Sequence, residues 1–174
     1  IDLFTSKKVD GIIASFSSKN SANIKLLKKT KIPFVIIDLF PDDKDINVVC
    51  TSARKTAKRA TNFLVKKGHK RILLIYGPKN SYPDECDYVL GYIDALNENN
   101  IKIDKNLLIK SDTTLSYGYK IGKNLLPKKN FTAIFTINDL LAIGIYRAAE
   151  ELNTKIPDNL SIFGNDDIEF SKYL

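Results

Sequence analysis

Short β-branched runs at 9–15, 32–38, 71–76, 132–137 and 160–164 alternate with longer amphipathic stretches at 20–30, 51–67, 83–99, 116–126 and 138–153. Runs such as Phe34 to Ile37 and Ile72 to Tyr76 are continuously apolar, which suits strands covered on both faces better than strands half in water. The stretches between them are long enough to carry a crossover from one parallel strand to the next. The alternation predicts an α/β fold, doubly wound around parallel sheets. Local chemistry agrees. Pro33 and Pro157 precede strands, and Gly68 and Asn153 follow helices, where a left-handed residue closes the last turn. On 51–67 the apolar Ala53, Ala57, Ala60, Phe63 and Leu64 recur every three or four residues, predicting an inward face, with Arg54, Lys55, Lys58 and Arg59 outward.

Composition excludes whole classes. Apolar residues make up 44% and charged residues 27% of the 174, the balance of a chain that buries a core rather than a disordered or fibrous one. The apolar runs fall far short of the roughly 20 residues that cross a bilayer, so no membrane partner is expected. Cys50 and Cys86 have no paired Cys or Cys/His spacing, which points away from a disulfide framework or zinc site and toward a reducing cytoplasm. The net charge of +7 is scattered in pairs such as Lys28/Lys29, Lys66/Lys67 and Lys128/Lys129 and reads as solvated helix ends. The first residue is Ile1 with no leader-like segment. Residues 1–8 read as the last turns of a helix and 170–174 as a helix cut short, so the chain is expected to be internal to a longer protein.

No catalytic constellation emerges. The phosphate-cradling patterns GxxxxGK[ST] and GxGxxG are missing, and Cys86 has no histidine arranged to activate it. His69, the single histidine, precedes a strand and is expected to anchor the junction between two lobes. No enzymatic activity and no cofactor are expected.

Polar residues cluster instead where the predicted strands end: Ser15 with Ser17 and Ser18, Asp38, Asn138 with Asp139, and Asn165 to Asp167. In open parallel sheets ligands bind outside the carboxyl ends of strands, so these groups are candidates for one binding cleft.

The phrases VDGIIAS (9–15), IPFVIID (32–38), GHKRILLIYGP (68–78), GYIDALNENNIKID (91–104), LSYGYKIGKNLL (115–126), the long TAIFTINDLLAIGIYRAAEELNTKIPDNLSIFGNDDI (132–168) and SKYL (171–174) resemble the LacI/GalR family. They stand in the family's order and at its spacing over nearly the whole chain. The resemblance implies a sensing core like that of a periplasmic sugar-binding protein: two Rossmann-like lobes with parallel sheets and a small-molecule cleft between them. It implies part of an N-terminal lobe at 1–68, lacking its first strand and helix, and a C-terminal lobe at 69–174. It further implies a homodimer, with 140–152 and 170–174 as interface candidates, and a helix-turn-helix upstream of Ile1 that contacts operator DNA. A periplasmic or lipoprotein sugar-binding protein of a transport system shares the fold and is the alternative.

By the same resemblance, Asp166 in GNDD accepts hydrogen bonds from effector hydroxyls or amines, as an ionised carboxylate does, with Asp167 capping the following helix. Asn138 either contacts effector or caps a helix, while Asp139 is expected to cap. Ser15 stands where the family faces its cleft. Three of the contacts that the resemblance implies are replaced. Ser52-Ala53 replaces Asp-Asn, Tyr88 replaces an arginine, and Thr113 replaces an aromatic. Losing the arginine fork removes bidentate recognition and losing the aromatic removes a surface for a sugar ring, so Tyr88 and Thr113 become the candidate contacts. The expected effector is a sugar or related metabolite.

Overall fold

Every strand pair in the computed structural model is parallel, as continuous apolar strands joined by helices require. The structure describes residues 1–16, 22–38, 43–77, 87–128 and 130–173, and divides into two units, Ile1–Thr51 and Ser52–Leu174.

The first unit holds α1 (Asp2–Ser6), β1 (Ile12–Ser15), α2 (Ala22–Lys29), β2 (Phe34–Ile37) and β3 (Val48–Val49), its sheet ordered β1-β2-β3. Ile12 stands opposite Phe34, and Ile36 opposite Val48. Its core is small: Ile24, Ile36 and Ile46 are buried with Phe16, Phe34 and Val48 packed against them. Ile13 and Val49 point away from that core and are exposed.

The second unit contains α3 (Ala53–Lys66), β4 (Ile72–Tyr76), α4 (Asp87–Glu98), β5 (Leu108–Lys110), α5 (Leu115–Leu125), β6 (Ala133–Thr136), α6 (Asp139–Glu151), β7 (Ser161–Phe163) and a closing 3-10 turn, Glu169–Tyr173. Its sheet runs β5-β4-β6-β7. The step from β4 to β5 goes one way along the sheet, and the steps through β6 to β7 go the other. Right-handed crossovers therefore put α4 on one face and α5 and α6 on the other. The packing agrees, since α3 lies against α4, and α5 against α6. Residues 72–75 and 133–136 are wholly buried between these layers.

Several expectations change. The strands β3 and β5 lie outside the runs predicted as strands. Phe63, expected inward, is 49% exposed, and Thr61 takes a buried place on α3 with Ala57, Ala60 and Leu64. Phe63 instead rests its ring 5.8 Å from that of Phe163. The unit boundary falls after Thr51 rather than after Gly68, because α3 is bound to α4: Arg54 donates twice to Asp94, at 2.6 and 2.9 Å, and Lys58 pairs with Glu98. A Cβ at Gly91 would run into the Arg54 carbonyl, so that glycine permits the close crossing. Gly68 and Asn153 do adopt positive φ, 96° and 51°, after their helices.

His69 sits within the second unit, not at a junction between units. Its Nδ1 pairs with Thr132 Oγ1 at 2.9 Å and its Nε2 with Ser161 Oγ at 3.0 Å, tying together the starts of β4, β6 and β7. The apolar stripe of α6 is core, with Leu141, Ala142, Ile145, Ala148 and Ala149 buried, whereas Phe170 and Tyr173 are 70% and 73% exposed.

Candidate functional site

Four parallel strands bring their carboxyl ends to one edge of the second sheet. There β4 leads to Gly77, β5 to 111–114, β6 to Ile137 and Asn138, and β7 to 164–168. The connections leaving β4 and β6 diverge, toward β5 and β7 respectively, which makes the end of these two central strands the switch point where open parallel sheets bind ligands.

Asn138 stands at that point. Its Oδ1 accepts the Leu141 N–H at 3.0 Å, capping α6, and its Nδ2 donates to the Thr113 carbonyl at 2.8 Å. Both ends of the amide are engaged, so Asn138 caps its helix and also fixes the loop after β5. Thr113, half-buried, is thereby held beside the end of β6. Tyr88 lies in the first turn of α4, half-buried, its ring tilted against Phe135 at 6.4 Å between centroids. Part of that ring belongs to the core.

The turn after β7 is the most strained backbone here. Asp166 and Asp167 both take positive φ, 115° and 57°, a region costly for residues other than glycine and common at binding sites. Asn165 Nδ2 donates to the Ile137 carbonyl at 3.2 Å and to Asp166 Oδ1 at 2.8 Å, lacing this turn to the end of β6. Partial desolvation raises the Asp166 carboxyl above the ordinary carboxylate range; the negative Asp139 adds to the rise and the Asn165 amide opposes it. Asp167 Oδ1 accepts the Ser171 hydroxyl at 2.9 Å, a side-chain bond in place of the backbone N–H that the expected cap would accept.

Asp139 differs from its expected part. The cap of α6 is Asn138, and the buried Asp139 carboxylate instead accepts the Ile168 N–H at 2.9 Å. The two partners are 29 residues apart, so no sequence spacing announces the bond. Asn165, which laces the site, stands out in the sequence only as part of a polar cluster.

Ser15 ends β1 in the first unit, exposed and opposite Ile37. Asp38 follows β2 at φ 58°, donating its N–H to the Val49 carbonyl at 3.1 Å. Ser17, Ser18 and Cys86 lie outside the described residues. Ser52 caps α3, its side chain accepting the Lys55 N–H at 3.3 Å, which gives that departure from the family a structural role. Chemically the described residues of the edge offer hydrogen-bond acceptors and amides. Among the described residues no group of three His, Cys, Asp or Glu is placed to hold a metal ion, and no helix is long and apolar enough to cross a membrane.

Comparison with known proteins accords with this geometry. The family model described as periplasmic binding proteins and sugar binding domain of LacI family matches residues 1–172. Over 99% of its length the chain is 29% identical to the HTH-type transcriptional repressor PurR of Pasteurella multocida, covering 52% of that protein. It is 26% identical to the ribose operon repressor of Escherichia coli K12, covering 53%. The chain thus spans about half the length of the curated relatives it matches. Among solved structures, a LacI family transcriptional regulator from Enterococcus faecium with bound ribose is 31% identical at a TM-score of 0.85, over 99% of this chain and 64% of that one. A LacI-family regulatory protein from Chloroflexus aggregans is 30% identical, also at 0.85, over 99% and 62%. The chain belongs to the family of periplasmic binding proteins and LacI-type sugar-binding domains.

Proposed function

We propose that this chain is the effector-sensing core of a bacterial LacI-type transcriptional repressor that binds a small polyhydroxylated metabolite, a sugar or a close relative, without catalysing its conversion. The observation that carries the reading is Asp166: a partly desolvated carboxylate on strained backbone at the carboxyl edge of a parallel sheet. Its Oδ1 is steadied by Asn165, and its Oδ2 is unpaired among the described residues. An ionised carboxylate accepts from paired hydroxyls, the recognition a sugar needs. Asn138, Thr113 and Tyr88 border the same edge and are proposed as further contacts, and Ser15 enters on the family likeness alone.

Effector binding would act on operator DNA through differential affinity for two conformations, with DNA contacted by a helix-turn-helix outside this chain. A homodimer in the cytoplasm completes the proposal, and the exposed Phe170 and Tyr173 support an interface near the 3-10 turn rather than on α6. The repressors among the relatives weigh against the transport alternative.

A thermal-shift screen against pentoses, hexoses, their phosphates, nucleosides and purines tests the reading. A ligand at about 100 times its dissociation constant adds roughly 2.7 kcal/mol. The expected result is a shift from a hydroxylated ligand that is lost in Asp166→Ala. A shift that survives Asp166→Ala with unchanged affinity would remove Asp166 from the site.

A further inference from the structure

Asp139 is a charged residue in a buried place. It opens α6, is only 7% exposed, and does not cap its own helix. Its two carboxylate oxygens reach opposite ends of one short turn. Oδ2 accepts the Ile168 N–H at 2.9 Å, and Oδ1 lies so near Gly164 that a Cβ there would collide with it and stand 3.3 Å from Cγ. Between these two contacts lie Asn165, Asp166 and Asp167, the last two at positive φ. Such backbone persists only where its surroundings hold it, and the groups holding it here are Asp139 through the Ile168 N–H, with Oδ1 packed close on Gly164, the Asn165 amide in the middle and Ser171 on Asp167.

The beginning of α6 favours a negative charge, and the bond to Ile168 offsets part of the cost of burying the carboxylate. Neither fact accounts for the reach of this side chain across to the Ile168 N–H, 29 residues away; the held turn does. We propose that Asp139 is a positioning residue for Asp166, its buried carboxylate holding the Gly164–Ile168 turn in the conformation that presents Asp166 at the edge of the sheet. The inference rests on the reading of Asp166 as a ligand residue, but the held turn can be tested without ligand.

Asp139 has a second effect that a purely mechanical support would lack. From α6 it places a negative charge near Asp166, while within the turn the neutral Asn165 amide bonds Asp166 and the Asp167 carboxylate is engaged by Ser171. Removing the charge while keeping the shape therefore lowers the pH at which Asp166 titrates.

The experiment is amide hydrogen exchange together with an NMR titration of the Asp166 carboxyl, on the unliganded wild type, Asp139→Ala and Asp139→Asn. In Asp139→Ala the Ile168 amide should exchange about 10- to 100-fold faster, as loss of a hydrogen bond to a charged acceptor implies, while β4 and β6 keep their protection. Asp139→Asn, which retains an acceptor, should restore most of the Ile168 protection yet titrate Asp166 at lower pH than wild type. If both variants leave Ile168 protection and the Asp166 titration at wild-type values, the inference is overturned. If Asp139→Ala does not fold, Gly164→Ala, whose Cβ would collide with Asp139 Oδ1, takes its place: faster Ile168 exchange supports the inference, and wild-type protection overturns it. These outcomes are independent of the ligand screen: binding judges Asp166, and exchange with titration judges Asp139.

Discussion

Asn138, Asp139 and Asp166 are three polar residues at strand ends, and the structure gives each different partners. The sequence marks all three, since polar residues after apolar runs stand where ligands and helix caps both belong. It cannot separate the tasks, because the deciding partners are distant: Thr113 for Asn138 and Ile168 for Asp139. His69 makes the same point with the opposite outcome. A lone histidine before a strand reads as an anchor, and it is one, although it joins three strands of one unit rather than two lobes. Burial pushes its pKa below the ordinary histidine value. A depressed pKa means that the fold prefers the neutral ring. The stability this contributes is present above the unfolded value near 6.5 and is lost as pH falls through the lower folded value. Urea unfolding between pH 8 and 4.5 should therefore show a loss in wild type on the acid side that His69→Ala lacks. At pH 8 that variant should be about 1–3 kcal/mol less stable, since it loses two hydrogen bonds worth about 0.5–1.5 kcal/mol each. Equal pH slopes in the two proteins would remove His69 from this role.

Helices were legible and the shortest strands were not, for a reason visible in their residues. The helical stretches at 51–67 and 138–153 carry apolar repeats over many turns, and they form α3 and α6 within a few residues of those bounds. β5 is three residues, Leu108–Lys110, and it exists because Leu74 to Tyr76 offer it a partner; β3 is two residues placed by β2 in the same way. Pairing decides such elements, and pairing is tertiary. Helix-to-helix packing is equally hidden until the faces meet. At the crossing of α5 and α6 a Cβ on Gly144 would run into the Leu115 carbonyl and stand 2.6 Å from the Tyr119 amide nitrogen. The obstacle is backbone on the facing helix, which cannot swing aside as a side-chain tip can. Gly144→Ala should then lose about 1–3 kcal/mol from overpacking, even though alanine alone is the better helix former by roughly 1 kcal/mol. Denaturant midpoints measure the balance, and a stabilised variant would mean that the two helices can separate without penalty.

At the scale of the molecule the question is where one cooperative unit stops. The phrase beginning at Gly68 looks like a lobe boundary, because a new strand starts there after a helix and a glycine. Packing places it earlier. Ala57, Ala60 and Leu64 of α3 belong to the same core cluster as Ile72 to Ile75, Tyr92 and Leu96, and the helix is tied to α4 by Arg54 with Asp94 and by Lys58 with Glu98. Those ion pairs are exposed and contribute little individually, so the apolar contact is what makes α3 part of the second unit. Burial of a large apolar side chain is worth about 1.5–3 kcal/mol. Stripping α3 away removes Leu64 and uncovers its neighbours, a loss of several kcal/mol against a total stability of roughly 5–15 for an ordinary domain. A fragment of residues 52–174 should accordingly unfold in urea as one sigmoidal transition followed by circular dichroism, whereas 69–174 should unfold without cooperativity or aggregate. If 69–174 were as stable as 52–174, α3 would be an appendage and the boundary would return to Gly68. If neither fragment folded, the second unit would need residues 1–51 for its stability.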